Sequence, residues 1–294
     1  MNELITLENV SKRFGNRTLF DQLTLTISKG KVLGVIGHNG AGKTSLFKLL
    51  LQMYQPSEGS IKIHDKNLDI KNDIGYLPEQ RGLYLKNDIY SQLLSLGYLK
   101  GKTKKELIKT IDYWLDFFGI TKNKYDILGN LSKGNQQKVQ FIVSVIHNPK
   151  LLILDEPFSG LDPINVDLFI KAIREINKGG STILYSSHEM GSVEDISDQI
   201  MLIKNGEIVF YDTLINIQEK YGFYLRVKNK SLTQEILEMS NFKYREQNGD
   251  FLISIDTPDE AEKIHELLPD KYSETFKVEK FNLEEIFKTV NEKG

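Results

Sequence analysis

Apolar positions alternate with threonine in Leu4-Ile5-Thr6-Leu7 and in Leu23-Thr24-Leu25-Thr26-Ile27. That period marks strands with one wet face and predicts an antiparallel sheet. Val32-Leu33-Gly34-Val35-Ile36 and Leu151-Leu152-Ile153-Leu154 carry no polar interruption, as expected of strands buried on both faces of a parallel sheet. Thr182-Ile183-Leu184-Tyr185-Ser186-Ser187 predicts another strand. Asn205-Gly206, set between Ile200-Met201-Leu202-Ile203 and Ile208-Val209-Phe210-Tyr211, is a strong hairpin signal. Helical spacing of Ile111, Trp114, Leu115 and Phe118 places helices in a segment of about residues 82–132, with Trp114 read as core packing rather than a ligand contact.

From about Phe223 the pattern changes to strand (Phe223 to Lys228), helix (Leu232 to Met239) and two strands (Phe242 to Glu246, Phe251 to Ile255). Helix (Pro258 to Leu268), strand (around Phe276 to Phe281) and a last helix from Leu283 complete it. That order is β-α-β-β-α-β, a ferredoxin-like plan with one added helix. The sequence therefore divides into residues 1–221 and a small α+β domain of residues 222–294.

Chemistry enters at Gly37-His38-Asn39-Gly40-Ala41-Gly42-Lys43-Thr44, which follows the strand at Val32 to Ile36 and opens onto the helix-like Ser45-Leu46-Phe47-Lys48-Leu49-Leu50. This is G-x-x-x-x-G-K-[ST] in its strand, loop and helix context, so it reads as a phosphate-binding loop. Its glycines let successive N–H groups face phosphate oxygens at the positive end of a helix. Lys43 would reach the β- and γ-phosphates and the Thr44 hydroxyl would ligate Mg²⁺. The strand Leu151 to Leu154 ends in Asp155-Glu156-Pro157, at the edge where ligands sit in open α/β sheets. Asp155 is the candidate Mg²⁺ ligand and Glu156 the candidate base for an attacking water.

With these motifs the chain resembles the ATP-binding subunit of an ABC transporter. Leu131-Ser132-Lys133-Gly134-Asn135-Gln136-Gln137-Lys138 is similar to the family's signature sequence, departing at Lys133 and Asn135. The resemblance implies that Ser132 and Gly134 contact a γ-phosphate. Ser132 also reads as the cap of a helix from Asn135 to about His147, its positive end toward an anion. Ser159-Gly160-Leu161-Asp162 resembles the D-loop, in which Asp162 would connect two nucleotide sites, and His188 matches the switch histidine.

Val10-Ser11-Lys12-Arg13-Phe14-Gly15 resembles the segment whose aromatic ring stacks on adenine. Phe14 keeps the π face; the alternative for it is a core aromatic. Preference for ATP over GTP comes from the resemblance alone. In Ile74-Gly75-Tyr76-Leu77-Pro78-Glu79-Gln80, Glu79 holds the slot of the family's Q-loop glutamine and Gln80 follows it. Either residue is left open for that role, and a carboxylate there can serve only on the metal or water side.

Leu77 to Tyr84 together with the signature resembles ATPases of type-2 bacterial exporters, of the sodium-efflux, multidrug and lantibiotic-immunity kinds. The implied fold is an α/β P-loop NTPase of the ABC ATPase type, with an antiparallel β subdomain and a helical insert, followed by the ferredoxin-like domain. The implied function is ATP hydrolysis with Mg²⁺, in a dimer with itself or a homologous ATPase, energising an integral-membrane permease.

Composition narrows this further. At 294 residues and 40% apolar the chain can bury a sizeable core. No run approaches the ~18 apolar residues that span a bilayer, and the absence of cysteine excludes disulfides. The expected place is the cytoplasm, peripheral on the inner face of the membrane through the permease. A net charge of −2 argues against nucleic acid and against a soluble ABC ATPase acting on it, the competing reading. A non-hydrolysing sensor is disfavoured by Glu156 and His188. Lys100, Lys102, Lys104, Lys105 and Lys109 read as a solvated face, with anionic lipid as the alternative. Arg81, Leu83 and Tyr84 offer the mixture expected of a groove that grips a partner's helix. The transported substrate is not legible.

Overall fold

The computed structural model describes residues 3–80, 82–229, 243–247, 249–255, 257, 259–267 and 273–292. Helix Leu232 to Met239 of the sequence reading and Arg81 lie outside the described residues. The chain forms two compact units, Met1–Tyr211 and Asp212–Gly294.

The first unit opens with two long strands, β1 (Glu3–Phe14) and β2 (Arg17–Ser28), paired antiparallel, then β3 (Val32–Ile36) and helix α1 (Lys43–Leu50). β4 (Glu58–Ile63) pairs antiparallel on the other side of β1, completing a three-stranded sheet. Leu4, Ile5, Leu7, Val10, Leu25 and Ile27 are buried while Thr6 and Thr26 stay half-exposed, so the alternation read in the sequence is the sheet's inner and outer faces. Both strands run well past the predicted segments because register shifts at β-bulges let β1 bend while it stays paired.

Next come the short α2 (Ile70–Asp73), β5 (Ile74–Leu77) and two helices of the insert, α3 (Ile89–Leu99) and α4 (Lys104–Phe117). Thr103 and Glu106 close a capping box on α4. Trp114 is buried and meets Phe141 edge-on at 6.2 Å, so the insert shares an aromatic cluster with the helix that follows, α5 (Lys133–Val145). Lys104, Lys105 and Lys109 are exposed, as a solvated face requires. Lys100 differs: its ammonium donates to the carbonyls of Lys71 (2.7 Å) and Ile74 (2.9 Å), tying the insert to the edge of the central sheet.

β6 (Leu151–Leu154), α6 (Pro163–Lys178), β7 (Thr182–Ser186), α7 (Met190–Ile196), β8 (Gln199–Lys204) and β9 (Glu207–Asp212) complete a six-stranded sheet in the order β5-β6-β7-β3-β8-β9. β5, β6, β7, β3 and β8 are mutually parallel. Every residue of β3, β6 and β7 is buried, each large aliphatic one stabilising the fold by roughly 1.5–3 kcal/mol. At the β8–β9 turn Asn205 and Gly206 both have positive φ, the backbone of a type I′ hairpin. A Cβ on Gly206 would lie 1.8 Å from the Leu19 carbonyl.

The second unit begins with α8 (Leu214–Tyr221), which the sequence division left with the first domain. It belongs to the second unit because Gln218 donates to the Phe281 carbonyl at 2.9 Å and the helix packs on the last helix of the chain. β10 (Phe223–Asn229), β11 (Tyr244–Gln247), β12 (Asp250–Ile255), α9 (Glu260–Leu267), β13 (Ser273–Lys280) and α10 (Leu283–Glu292) follow. Their antiparallel sheet has the order β11-β12-β10-β13. Ala261 and Ile264 pack on Leu225, Val227, Ile253 and Ile255. The strand order is that of the ferredoxin-like plan, whose first helix lies outside the described residues, and α10 is the added helix.

Candidate active site

Gly37, Gly40 and Gly42 have φ of 155°, 80° and 116°, so the loop between β3 and α1 turns through conformations that L side chains rarely adopt. Space is as restrictive as φ at two of them: a Cβ on Gly37 would meet the Ile203 carbonyl at 2.4 Å, and one on Gly42 the Phe20 ring at 2.7 Å. Gly42 caps α1 without a side-chain acceptor, which leaves the first N–H groups of the helix for an anion.

Lys43, 7% exposed, folds back over this loop. Its ammonium donates to the carbonyls of Gly37 at 2.7 Å and His38 at 3.3 Å, and stands 3.6 Å from Glu156 Oε1. Glu156 Oε1 is also 3.0 Å from His188 Nε2. Three motifs far apart in sequence, on the turns after β3, β6 and β7, thus meet at one point. Burial pushes the Glu156 carboxyl above its ordinary range and the Lys43 ammonium below its own, while each partner's charge opposes the other's shift. Burial, then Lys43 and His38, lowers the His188 imidazole from its ordinary range.

Glu156 has φ +51°, a left-handed backbone costing on the order of 1–3 kcal/mol in a non-glycine residue. Ser186 at the end of β7 holds it there. The Ser186 hydroxyl accepts from the Glu156 N–H at 2.8 Å and donates to Asp155 Oδ1 at 2.7 Å. Sequence reasoning took Ser186 only as a strand residue; its signal is a hydroxyl on the strand beside the two carboxylates. The other oxygen of Asp155, Oδ2, is buried without a hydrogen-bond partner.

A cleft of about 550 Å³ is lined by Phe14, His38, Asn39, Gly40, Gly42, Lys43, Thr44, Ser45, Glu79, Asp155 and Glu156, and also by Arg17 and Leu19, which the sequence did not single out. Phe14 is exposed at the mouth, not a core aromatic. Glu79 and Gln80 are exposed, and the backbone of their loop is held by Gln140 of α5, which donates to the Pro78 carbonyl at 2.9 Å. Burial, then Asp155 and Glu79, pushes the nearby Tyr76 hydroxyl up to about 12.

Ser132, Gly134 and Asp162 do not line this cleft. Ser132 is exposed and caps α5, accepting from the Asn135 N–H at 3.3 Å. Asp162 caps α6, accepting from the Asn165 N–H at 3.0 Å, with Pro163 in the first turn. The Asn165 amide lies 3.8 Å from where a Gly134 Cβ would stand. These three residues form a second surface of their own.

Among the described residues no cluster of three or more His, Cys, Asp and Glu side chains could hold a metal ion alone. The residues present fit a divalent ion of another kind. The orphaned Asp155 oxygen and the Thr44 hydroxyl line the cleft together, and Mg²⁺ characteristically takes one or two protein oxygens, keeping waters and phosphate oxygens for the rest.

Residues 20–159 match the ABC transporter family. An ABC transporter ATP-binding protein of Methanocaldococcus jannaschii is 40% identical over 80% of this chain and 87% of its own length. The chain belongs to the ABC transporter ATP-binding family. The bacitracin transport ATP-binding protein BcrA of Enterococcus faecalis is 30% identical to this ABC ATPase over 82% of the chain and 80% of its own length. A solved ATP-binding subunit of an ABC transporter superposes with a TM-score of 0.69 and 26% identity, covering 74% of this chain and 93% of the other. This ABC ATPase binds and hydrolyses ATP as the energising subunit of a membrane transporter, and its partner is a membrane permease. Among the described residues no helix is long and apolar enough to cross a membrane.

Proposed function

We propose that this ABC ATPase drives export from the cytoplasmic face of the membrane, hydrolysing Mg²⁺-ATP in a dimer. Each site would combine Phe14, the phosphate loop, Asp155, Glu156 and His188 of one copy with Ser132 and Gly134 of the other. The observation that carries it is the meeting of Lys43, Glu156 and His188 within 3.0–3.6 Å.

In this reading the N–H groups from Gly40 to Ser45 and the Lys43 ammonium take the β- and γ-phosphates, with the purine on Phe14. Glu156 accepts the proton of a water whose oxygen attacks the γ-phosphorus in line. The bond to the β–γ bridging oxygen then breaks, and ADP and phosphate leave. His188, 3.0 Å from Glu156, would donate its N–H to the γ-phosphate and so keep water and base aligned. Thr44 and Asp155, with Glu79 beside them in the cleft, would hold Mg²⁺, which when bound would neutralise charge at the phosphates. Exposure of the Ser132-capped end of α5, away from the cleft, supports the shared site: a positive helix end suits an anion brought by a second copy. Asp162 would join the two sites. Residues 1–221 would do this work, and 222–294 form an accessory domain. The bacitracin transport relative supports a transport role.

Because Glu156 must be ionised to act, kcat/KM should fall as pH drops, with the acid limb above the ordinary glutamate range, as its raised pKa requires. A rate profile measured against pH checks this. An acid limb at or below that range contradicts the raised pKa, and a rate with no acid limb contradicts the base assignment.

The grip on the permease falls on the loop after Gln80. The Tyr84 N–H donates to Gln92 Oε1 and the Tyr84 carbonyl accepts from Gln92 Nε2, both at 2.9 Å, so the backbone is fixed while the ring stands 68% exposed. Leu83 beside it is half-buried. Replacing Leu83 and Tyr84 with serine should leave ATP binding nearly unchanged and weaken co-purification with the permease at least tenfold, about the loss of a 1.4 kcal/mol anchor. Full co-purification from detergent extracts would place the grip elsewhere.

A further inference from the structure

The purine end of the cleft is built from more than the ring that lines it. Phe14 lies at the end of β1, paired with Arg17 across the hairpin tip at Gly15, and 44% of it is exposed. Its χ angles have little around them on the solvent side to fix them, and an aromatic platform that swings freely gives up most of its stacking advantage to lost entropy. One neighbour opposes that loss. Tyr54 stands edge-to-face against Phe14, with ring centroids 5.3 Å apart and planes inclined at 73°.

Lys12 completes the arrangement. Its ammonium lies 4.8 Å from the Phe14 centroid and 5.4 Å from that of Tyr54, and donates to the Gln55 carbonyl at 2.8 Å. The cation therefore covers part of Phe14, leaving a base the part that faces the cleft.

Tyr54 is itself anchored to the phosphate-binding element. Its N–H donates to the Lys48 carbonyl at 3.1 Å, in the last turn of α1, and the Lys48 ammonium stands 5.4 Å from its ring. The N-terminus of α1 faces the phosphate loop. Eight residues of helix, about 12 Å at 1.5 Å per residue, thus connect the phosphate end of the cleft to the residue that braces its aromatic end.

We infer that Tyr54, assisted by Lys12, is a positioning residue for nucleotide binding: it locks the Phe14 ring at a set distance from the phosphate loop, so that base and triphosphate are taken together. This rests on the reading of Phe14 as the purine platform. Tyr54 does not line the cleft, so its effect passes through Phe14 and concerns the base alone.

The test compares two probes by calorimetry on the whole chain: ATP, which carries a base, and inorganic tripolyphosphate, which does not. Tyr54→Ala should weaken ATP binding about three- to tenfold, the range of an edge-to-face aromatic pair, and leave tripolyphosphate binding unchanged. Tyr54→Phe, which keeps the ring, should bind ATP as the unaltered chain does. In a Phe14→Ala background the Tyr54→Ala change should cost nothing further. An equal loss for both probes would make Tyr54 a support of α1 and overturn the inference, as would unchanged ATP affinity in Tyr54→Ala while Phe14→Ala loses it. If Phe14→Ala itself binds ATP normally, the platform reading fails, and the inference falls with it.

Discussion

Lys43→Ala should reduce ATP affinity by about 10²-fold or more, since two lost charge-assisted hydrogen bonds are worth roughly 1.5–3 kcal/mol each. The ammonium is a full positive charge folded over the phosphate loop, and it is nearly inaccessible to solvent. Its present acceptors, the carbonyls of Gly37 and His38, belong to the loop itself, so phosphate oxygens arriving there find the donor already in place. The fold should survive, because the core around β3 and α1 is apolar and does not include the ammonium. Equilibrium titration with ATP, beside a thermal melt of the same variant, measures both. Unchanged affinity in a folded variant would mean that the phosphates bind elsewhere.

Glu156→Gln should leave ATP bound while slowing hydrolysis by about 10²–10⁴, the usual contribution of a general base. The amide keeps the size of the side chain and can still bond His188, but it cannot take the water's proton. It also removes the negative charge 3.6 Å from Lys43, so ATP affinity should stay level or rise. Phosphate release in a single turnover reads the effect. A rate within a few-fold of the unaltered chain would leave Glu156 as a partner of Lys43 and nothing more.

The strands that carry these residues were legible because burial on both faces leaves no polar position in β3 or β6, and each run ends where its motif begins. The strands of the second unit were legible for a related reason: short alternating runs separated by turn residues fix their type. Other features needed three dimensions. Ser186 sits on a strand about thirty residues from Asp155 and Glu156, and only the parallel pairing of β6 with β7 brings its hydroxyl to both. Tyr54 follows α1, and the role inferred for it depends on the fold bringing Phe14, at the end of β1, within 5.3 Å of its ring. The place of α8 was misjudged in sequence because composition changes at Phe223, whereas packing is decided by a helix at the far end of the chain. Lys100 looked like one of five solvated lysines until the carbonyls of Lys71 and Ile74 were found beneath it.

Separation of the two surfaces is the central feature of the molecule. Lys43, Glu156 and His188 gather at the cleft, while Ser132, Gly134 and Asp162 gather elsewhere. If both act on one nucleotide, two copies must meet face to face around it. The direct measurement is the molar mass of the Glu156→Gln variant by light scattering, with and without Mg²⁺-ATP. The account predicts a dimer that forms with ATP and is lost when Ser132 is also replaced by arginine, which would crowd the phosphate. A Glu156→Gln chain that binds ATP and stays monomeric at every concentration would contradict the shared site.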